Sequence, residues 1–153
     1  MRLSAILTAA AIGMSATIVQ AQDGPSPQEK ARQGMMRIIA LNMGVLGGMA
    51  KGEILFDAGQ ATAAANSLVA VSLIDQRLLW PEGSDNDTSF NTIALPAIWE
   101  KPAEFGTIWS ELGIAALGLQ AAAAKGRSAL GPALGKAGGT CKACHETFRA
   151  SDN

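Results

Sequence analysis

The sequence predicts an all-α protein, an antiparallel up-down-up-down four-helix bundle. Apolar residues recur at helical spacing through four long segments, and no segment alternates convincingly as a β-strand. Capping or helix-breaking residues separate these segments. The first and third connections are short, which makes the helices that they join antiparallel neighbours.

The first helix begins at Ser26-Pro27-Gln28-Glu29, where Ser is the N-cap, Pro takes the first helical position and Glu follows three residues after the cap. It is predicted to span 27–50, with Gly52 as its stop. An apolar stripe at helical spacing runs along it and comprises Met35, Ile39, Met43, Leu46 and Met49.

The second helix is predicted over 58–79. Asp57 and Gln60 repeat the capping pattern at its start, and Trp80-Pro81 ends it. Residues 84–91 form a polar, turn-rich connection, the longest in the chain.

A short turn between Pro96 and Pro102 precedes the third helix, which is predicted over 102–125 and stopped by Gly126. Ser128 is the expected cap of the last helix, which runs to about residue 150. The Ala and Gly residues of these helices would make room for a cofactor near one end of the bundle.

Residues 1–21 resemble a secretory signal peptide: Arg2 supplies the positive start, an apolar stretch follows, and Val19-Gln20-Ala21 is a small-residue cleavage pattern. An uncleaved membrane anchor is the alternative, but four Ser and Thr residues interrupt the apolar stretch. We therefore expect a periplasmic protein in which 22–153 form a single four-helix-bundle domain.

Cys141-Lys142-Ala143-Cys144-His145 is the attachment pattern of a c-type haem. On a helix, residues three and four apart share a face, so both sulfurs reach one edge of a porphyrin and the imidazole reaches its iron. The expected cofactor is one haem c, covalently bound through two thioethers.

Other interpretations of the two cysteines are weaker. A thioredoxin-like redox pair needs a βαβ context, and structural zinc normally needs four Cys or His ligands, whereas the chain has two Cys and one His. A disulfide leaves the adjoining histidine unexplained. A haem-free helical bundle that acts as a binding module remains a third functional hypothesis.

The chain resembles the class II cytochromes c, the family of cytochrome c′ and its low-spin relatives. The resemblance rests on the attachment motif, on Arg32-Gln33-Gly34-Met35-Met36 in the first helix, and on corner motifs. The corners are Lys51-Gly52-Glu53, Phe56-Asp57, Trp80-Pro81-Glu82-Gly83 and Pro96-Ala97-Ile98-Trp99. It spans nearly the whole of residues 22–153.

The resemblance implies that His145 is the proximal iron ligand, that Arg32 and Gln33 lie near the haem propionates, and that Met36 lies in the distal pocket. Arg32 and Met36 do share a helix face. Simpler roles remain open: a surface charge for Arg32 and core packing for Met36. Arg149 matches a family arginine near the proximal face, or is a cation at a helix end.

Two functions follow from the role of Met36. If its sulfur binds the iron, the protein is a periplasmic electron carrier with His/Met ligation, which is the function that the sequence favours. If Met36 only covers the iron, the site is five-coordinate and high-spin, and it binds or scavenges nitric oxide or carbon monoxide. The single histidine excludes bis-His ligation within one chain.

Other activities and partners are limited by composition. The chain lacks a basic stripe for nucleic acid, a second membrane-spanning apolar run, and a cluster of general acid, base or nucleophile, so we do not expect an enzyme. Redox proteins and small diatomic gases are the expected partners. Pairing into a homodimer is plausible, because the first two helices carry spare apolar positions and the family often pairs in this way.

Overall fold

A computed structural model describes residues 24–151, which form four long helices and one short one. The helices are α1 (Pro27–Lys51), α2 (Ala58–Ser72), α3 (Ala97–Glu100), α4 (Pro102–Lys125) and α5 (Arg127–Phe148). α1 packs against α2 and α5, and α4 packs against the same two helices. The predicted all-α four-helix bundle is confirmed, whereas the predicted signal peptide lies outside the described residues.

The capping residues of α1 act as the sequence predicts. The Glu29 backbone N–H donates to Ser26 Oγ at 3.2 Å, and the Ser26 N–H donates to Glu29 Oε2 at 2.6 Å. These two bonds satisfy N–H groups that a helix start otherwise leaves unpaired. Gly52 ends the helix in the left-handed region, at φ 83°.

α2 ends at Ser72, so the prediction that it continues to residue 79 is wrong. The last turn tightens, because the Leu73 and Ile74 N–H groups donate three residues back. The indole Nε1 of Trp109 on α4 donates to the Ser72 carbonyl at 3.1 Å. Asp75 then caps a separate 3₁₀ turn, Gln76–Leu78. A tertiary contact and a local cap together override the helical pattern.

α5 begins at Arg127 after Gly126, whose φ is 103°, so Ser128 lies inside the first turn and the prediction that it is the N-cap is wrong. The helix ends at Phe148, before the predicted residue 150. The Leu95 N–H donates to the Phe148 carbonyl at 3.0 Å and the Ala150 N–H to the Ile93 carbonyl at 2.8 Å. An isolated antiparallel bridge between Ala94 and Arg149 thus replaces the last helical turn.

Small and aliphatic side chains fill the core between the long helices. Leu46, Met49, Leu119 and Leu130 are fully buried, and the alanines buried with them include Ala61, Ala65, Ala116 and Ala123. Alanine lets neighbouring helix backbones approach closely while its methyl group still leaves the solvent. The fully buried residues of this core are therefore alanines and aliphatic side chains, and none of them is aromatic.

Several apolar side chains remain on the outside of the bundle. Ile38 and Leu41 project from α1 with exposed fractions of 47% and 67%. Within residues 24–151, no helix combines the length and the apolar character that crossing a lipid bilayer requires.

Candidate functional site

The end of α5 carries the two cysteines and the histidine of the attachment motif on one face. Cys144 and His145 line a cavity of about 700 Å³ at this end of the bundle, and all three side chains line a smaller cavity of about 130 Å³ beside it. Lys142 and Glu146 form an exposed ion pair at 3.6 Å elsewhere on the same turns. The polar pair and the motif thus lie on different faces of the helix.

Burial raises the pKa of the Cys141 thiol, and it raises the pKa of Cys144 to about 11, with a further contribution from Cys141. Both groups are neutral thiols near pH 7. Catalytic and redox-active cysteines instead have lowered pKa values, so the environment does not favour a thioredoxin-like pair. Within residues 24–151, no group of three His, Cys, Asp or Glu side chains is arranged to hold a metal ion.

α1 supplies the opposite wall of the larger cavity. Residues at helical spacing face it, namely Glu29, Arg32, Gln33, Met36, Arg37 and Ala40. Met36 and Ala40 line the smaller cavity as well. Arg32, Gln33 and Met36, the three α1 residues predicted to lie at the haem, therefore border the same cavity as His145 and Cys144.

Arg32 is almost fully buried, with 4% of its surface exposed, so its interpretation as a surface charge is wrong. Its guanidinium lies 4.5 Å from the ring centroid of Trp80, a cation–π contact. Nη1 donates to Ser84 Oγ at 2.9 Å, and Nη2 donates to the Ser84 carbonyl at 3.0 Å. Burial lowers the pKa of Arg32, and the nearby Glu29 carboxylate partly offsets this effect.

Arg32 and Gln33 both hold the connection between the 3₁₀ turn and α3. The Gln33 side-chain amide donates to the Asn91 carbonyl at 2.8 Å, and Arg32 holds Ser84 near the other end of the same segment. Residues 90–94 of this connection line the larger cavity. The two α1 side chains therefore hold one wall of the cavity in place.

An aromatic cluster lies behind the cavity. Phe148 and Phe105 pack edge to face with ring centroids 5.3 Å apart, and Trp80 contacts Phe105 in the same manner at 5.1 Å. The Trp99 indole N–H donates to the Trp80 carbonyl at 3.1 Å. Sequence patterns do not assign the Trp80, Phe105 or Phe148 rings to the site, because only the tertiary fold brings them together.

Arg149 follows α5 in extended backbone and lines the larger cavity. It is half-buried at the C-cap of α5, so both of its predicted roles, near the proximal face and as a helix-end cation, stay predictions. Arg37, which the sequence analysis does not select, lines the same cavity. Three guanidinium groups thus border the cavity.

The residues of this site fit a covalently attached haem. The two thiols and the imidazole lie on the cavity wall, next to Met36 and the apolar rings. The arginines provide positive charge for the carboxylates that a porphyrin carries. A large, mainly apolar cavity with a few polar groups is typical of cofactor sites.

The model of the Cytochrome C′ family matches residues 28–149. This chain belongs to the cytochrome c′ family. It is a class II cytochrome c, and the covalent haem c predicted from its attachment motif is confirmed by membership of this family.

Relatives of known sequence and structure agree with this assignment. The chain is 41% identical over 123 residues to cytochrome c-554 of Cereibacter sphaeroides, covering 80% of this chain and 92% of the relative. The solved cytochrome c′ of Rhodobacter sphaeroides superimposes with a TM-score of 0.78 and 38% identity, covering 82% and 96%. The carbon monoxide-bound leucine-to-glycine variant of the Alcaligenes xylosoxidans cytochrome c′ superimposes with a TM-score of 0.70 and 28% identity, covering 81% and 94%.

Proposed function

We propose that this cytochrome c′ binds neutral diatomic gases, nitric oxide or carbon monoxide, at a five-coordinate haem. His145 would be the protein ligand to the iron, and Met36 would cover the opposite side. Cytochromes c′ are typically five-coordinate. The observation that carries the proposal is the smaller cavity beside Met36, whose walls offer little hydrogen bonding to a bound ligand.

The side chains around this cavity are mainly apolar, and they are Met36, Ile39, Ala40, Ile108 and Leu112. Apart from His145, the residue that would bind the iron, two lining residues carry N–H or O–H groups, and both groups are already used. The Trp109 indole N–H donates to the Ser72 carbonyl, and the Thr140 hydroxyl donates to the Lys136 carbonyl at 3.3 Å. Distal polarity and hydrogen-bond donors decide which ligands a haem accepts. This wall therefore favours neutral diatomics over anions.

Haem iron, when bound, supplies a one-electron couple and a coordination position for a gas. The protein contributes the surroundings. Met36 is half-buried, unbranched and flexible, so it can move aside for a small ligand. Arg32 and Gln33 would act at the propionate edge, where Arg32 supplies buried positive charge and also holds Ser84. Arg149 would lie near the proximal face.

The ferric spin state tests this proposal. We expect high-spin optical and EPR spectra for the wild type and for Met36→Ala, because Met36 covers the iron without binding it. The ferrous Met36→Ala protein should bind carbon monoxide about tenfold faster, a barrier change of about 1.4 kcal/mol, because less bulk blocks the gas. Stopped-flow spectroscopy measures this rate.

Met43→Ala is the matched control. Met43 lies on the same helix and packs against the bundle core, but it borders neither cavity. Its replacement should leave the spectra and the gas-binding rate unchanged. A low-spin wild type that becomes high-spin only in Met36→Ala would refute the open iron site.

That outcome would support the second candidate, an electron carrier in which the Met36 sulfur is the sixth ligand. The specific observation in its favour is that Met36 and His145 border both cavities together. Methionine and histidine together form an established axial pair in electron-transfer cytochromes. The same spectra therefore decide between the two functions.

We also propose that residues 22–153 form the mature domain after removal of residues 1–21 in the periplasm, where relatives in the family reside. Electrospray mass of the exported protein tests the cleavage site.

A homodimer through α1 is proposed from the exposed Ile38 and Leu41. Sedimentation of the wild type beside Leu41→Glu tests it, and a monomeric wild type would refute it.

A further inference from the structure

Phe90 is fully exposed, with a relative surface of 107%, yet it lines the larger cavity. An aromatic side chain in this position gains nothing from the core of its own chain. It lies in the cavity-wall loop, which we define as residues 81–95. Ile93, in the same loop, is also exposed at 43%. The loop thus presents apolar surface next to the site where the haem is held.

The cavity-wall loop is ordered by its own polar contacts. The Asn86 N–H donates to the Ala94 carbonyl at 2.8 Å, and the Thr88 hydroxyl donates to the Gly83 carbonyl at 2.7 Å. Arg32 and Gln33 hold the loop against α1. Phe90 is therefore presented by a braced segment, which lowers the entropy cost of using it in an interface.

All the charged residues of the cavity-wall loop are acidic. Residues 81–95 include three acidic residues, Glu82, Asp85 and Asp87, and no Lys or Arg. The Asp85 carboxylate accepts the Asp87 and Thr88 N–H groups through Oδ1, which fixes its orientation. The charged groups that face the cavity from other elements are Arg32, Arg37, Arg149 and Glu29. Two haem propionates and the Glu29 carboxylate would offset the three cations, so the carboxylates of the loop would leave the rim acidic.

We propose that Phe90 and the three carboxylates form the docking surface for a basic electron-donor protein that reduces the haem iron. The inference rests on the proposed function, because carbon monoxide binds the ferrous state. One electron leaves the partner's reduced centre and converts ferric to ferrous iron, the partner is oxidised by one electron, and no bond forms or breaks. Phe90 would be the apolar anchor and the carboxylates would steer the encounter.

Binding kinetics of the ferric holoprotein test the surface. The probes are a purified, strongly basic cytochrome c and an acidic flavodoxin, measured by biolayer interferometry at about 10 mM and about 150 mM salt. We expect binding of the basic probe only. Asp85→Asn/Asp87→Asn should lower its association rate about tenfold at low salt and much less at high salt, because steering is screened.

Phe90→Ser should act on the dissociation rate constant. We expect about tenfold faster dissociation with an association rate within about twofold of the wild type, because an anchor acts after encounter. Glu53→Gln and Leu55→Ser are matched controls in the connection between α1 and α2. Both positions are exposed, Leu55 at 91%. They should leave both rate constants unchanged.

Three results would overturn the inference. The first is failure of the wild type to bind the basic probe at low salt, and the second is equally strong binding of the acidic probe. The third is a loss of binding in the control variants as large as that in the loop variants. Carbon monoxide affinity after chemical reduction with dithionite is measured in parallel. It should be the same in the wild type, in Asp85→Asn/Asp87→Asn and in the two controls, because none of these positions lines the haem cavity. Failure of gas binding is thereby distinguished from failure of docking.

Discussion

The two ends of this bundle are stabilised in different ways. Away from the haem site, alanines and four fully buried aliphatic side chains bring the helices together. At the haem end, an aromatic cluster and a braced loop surround a cavity of about 700 Å³. A packed core gains its stability within the chain, whereas a cavity of this size forgoes packing contacts. The haem end therefore gains less of its stability from apolar packing within the chain, and a bound haem would add to it.

The largest expected effect comes from removing haem attachment, which tests that contrast directly. Cys141→Ser/Cys144→Ser should abolish covalent haem and cost about 4 kcal/mol or more of unfolding free energy, because a tightly held ligand stabilises the folded state. Native-state hydrogen exchange should show faster exchange in residues 84–95 and 145–150, with α2 and α4 still protected. Uniform loss of protection would show that both ends unfold as one unit.

A pair of core truncations separates stability from haem chemistry. Leu119→Ala and Phe148→Ala should each cost about 3–4 kcal/mol by chemical denaturation, because both side chains are buried. Only Phe148→Ala should shift the haem absorption bands, because Phe148 lines the larger cavity. A spectral shift in Leu119→Ala would contradict the division between the two ends.

Variants at Arg32 and Ser84 separate the effect of the loop contacts on stability from the effect of the Arg32 charge on the reduction potential. Arg32→Leu should cost about 2 kcal/mol, because it removes two hydrogen bonds and a cation–π contact. It should also lower the reduction potential, because loss of a buried positive charge disfavours the added electron. Ser84→Ala removes the partner and keeps the charge, so the loop should loosen with little change in potential. Equal potential shifts in the two variants would refute the role of charge.

The smallest expected effect is a pH dependence at Glu29. Burial raises the pKa of this carboxyl, but the nearby Ser89 hydroxyl, the hydrogen bonds with Ser26 and the charge of Arg32 outweigh burial and hold the pKa below its usual value. A lowered folded-state pKa adds stability above the unfolded-state pKa, and that stability is lost as the pH falls through the folded-state pKa. Glu29→Gln should therefore cost about 1 kcal/mol at pH 7. The cost should vanish at low pH in thermal unfolding, whereas a cost that grows on acidification would contradict this assignment.

The bounds of α1 and α4 are largely predictable from the sequence. Ser26, Pro27 and Gly52 mark the ends of α1, and the predicted bounds of α4 agree with the structure. Caps and periodic apolar residues act locally, so a short window of sequence contains the relevant information. The attachment motif is local as well, since its three functional residues lie within two turns of one helix.

The haem end is less predictable because its contacts join distant parts of the chain. Arg32 meets Ser84 and Gln33 meets Asn91, pairs that are 52 and 58 residues apart. The early end of α2 also depends on a contact from Trp109. No periodic pattern encodes such pairs. The family resemblance predicts Arg32 and Gln33 near the propionates without revealing that they hold the loop.

The bridge between Ala94 and Arg149 has a consequence for biogenesis. Its second partner follows the attachment motif in the chain, so one side of the haem pocket closes only after the segment beyond His145 has left the ribosome or the secretion channel. Until then the two thiols lie beside an open entrance. Maturation enzymes would have access during that interval, and a chain truncated just after His145 would take up haem without closing over it.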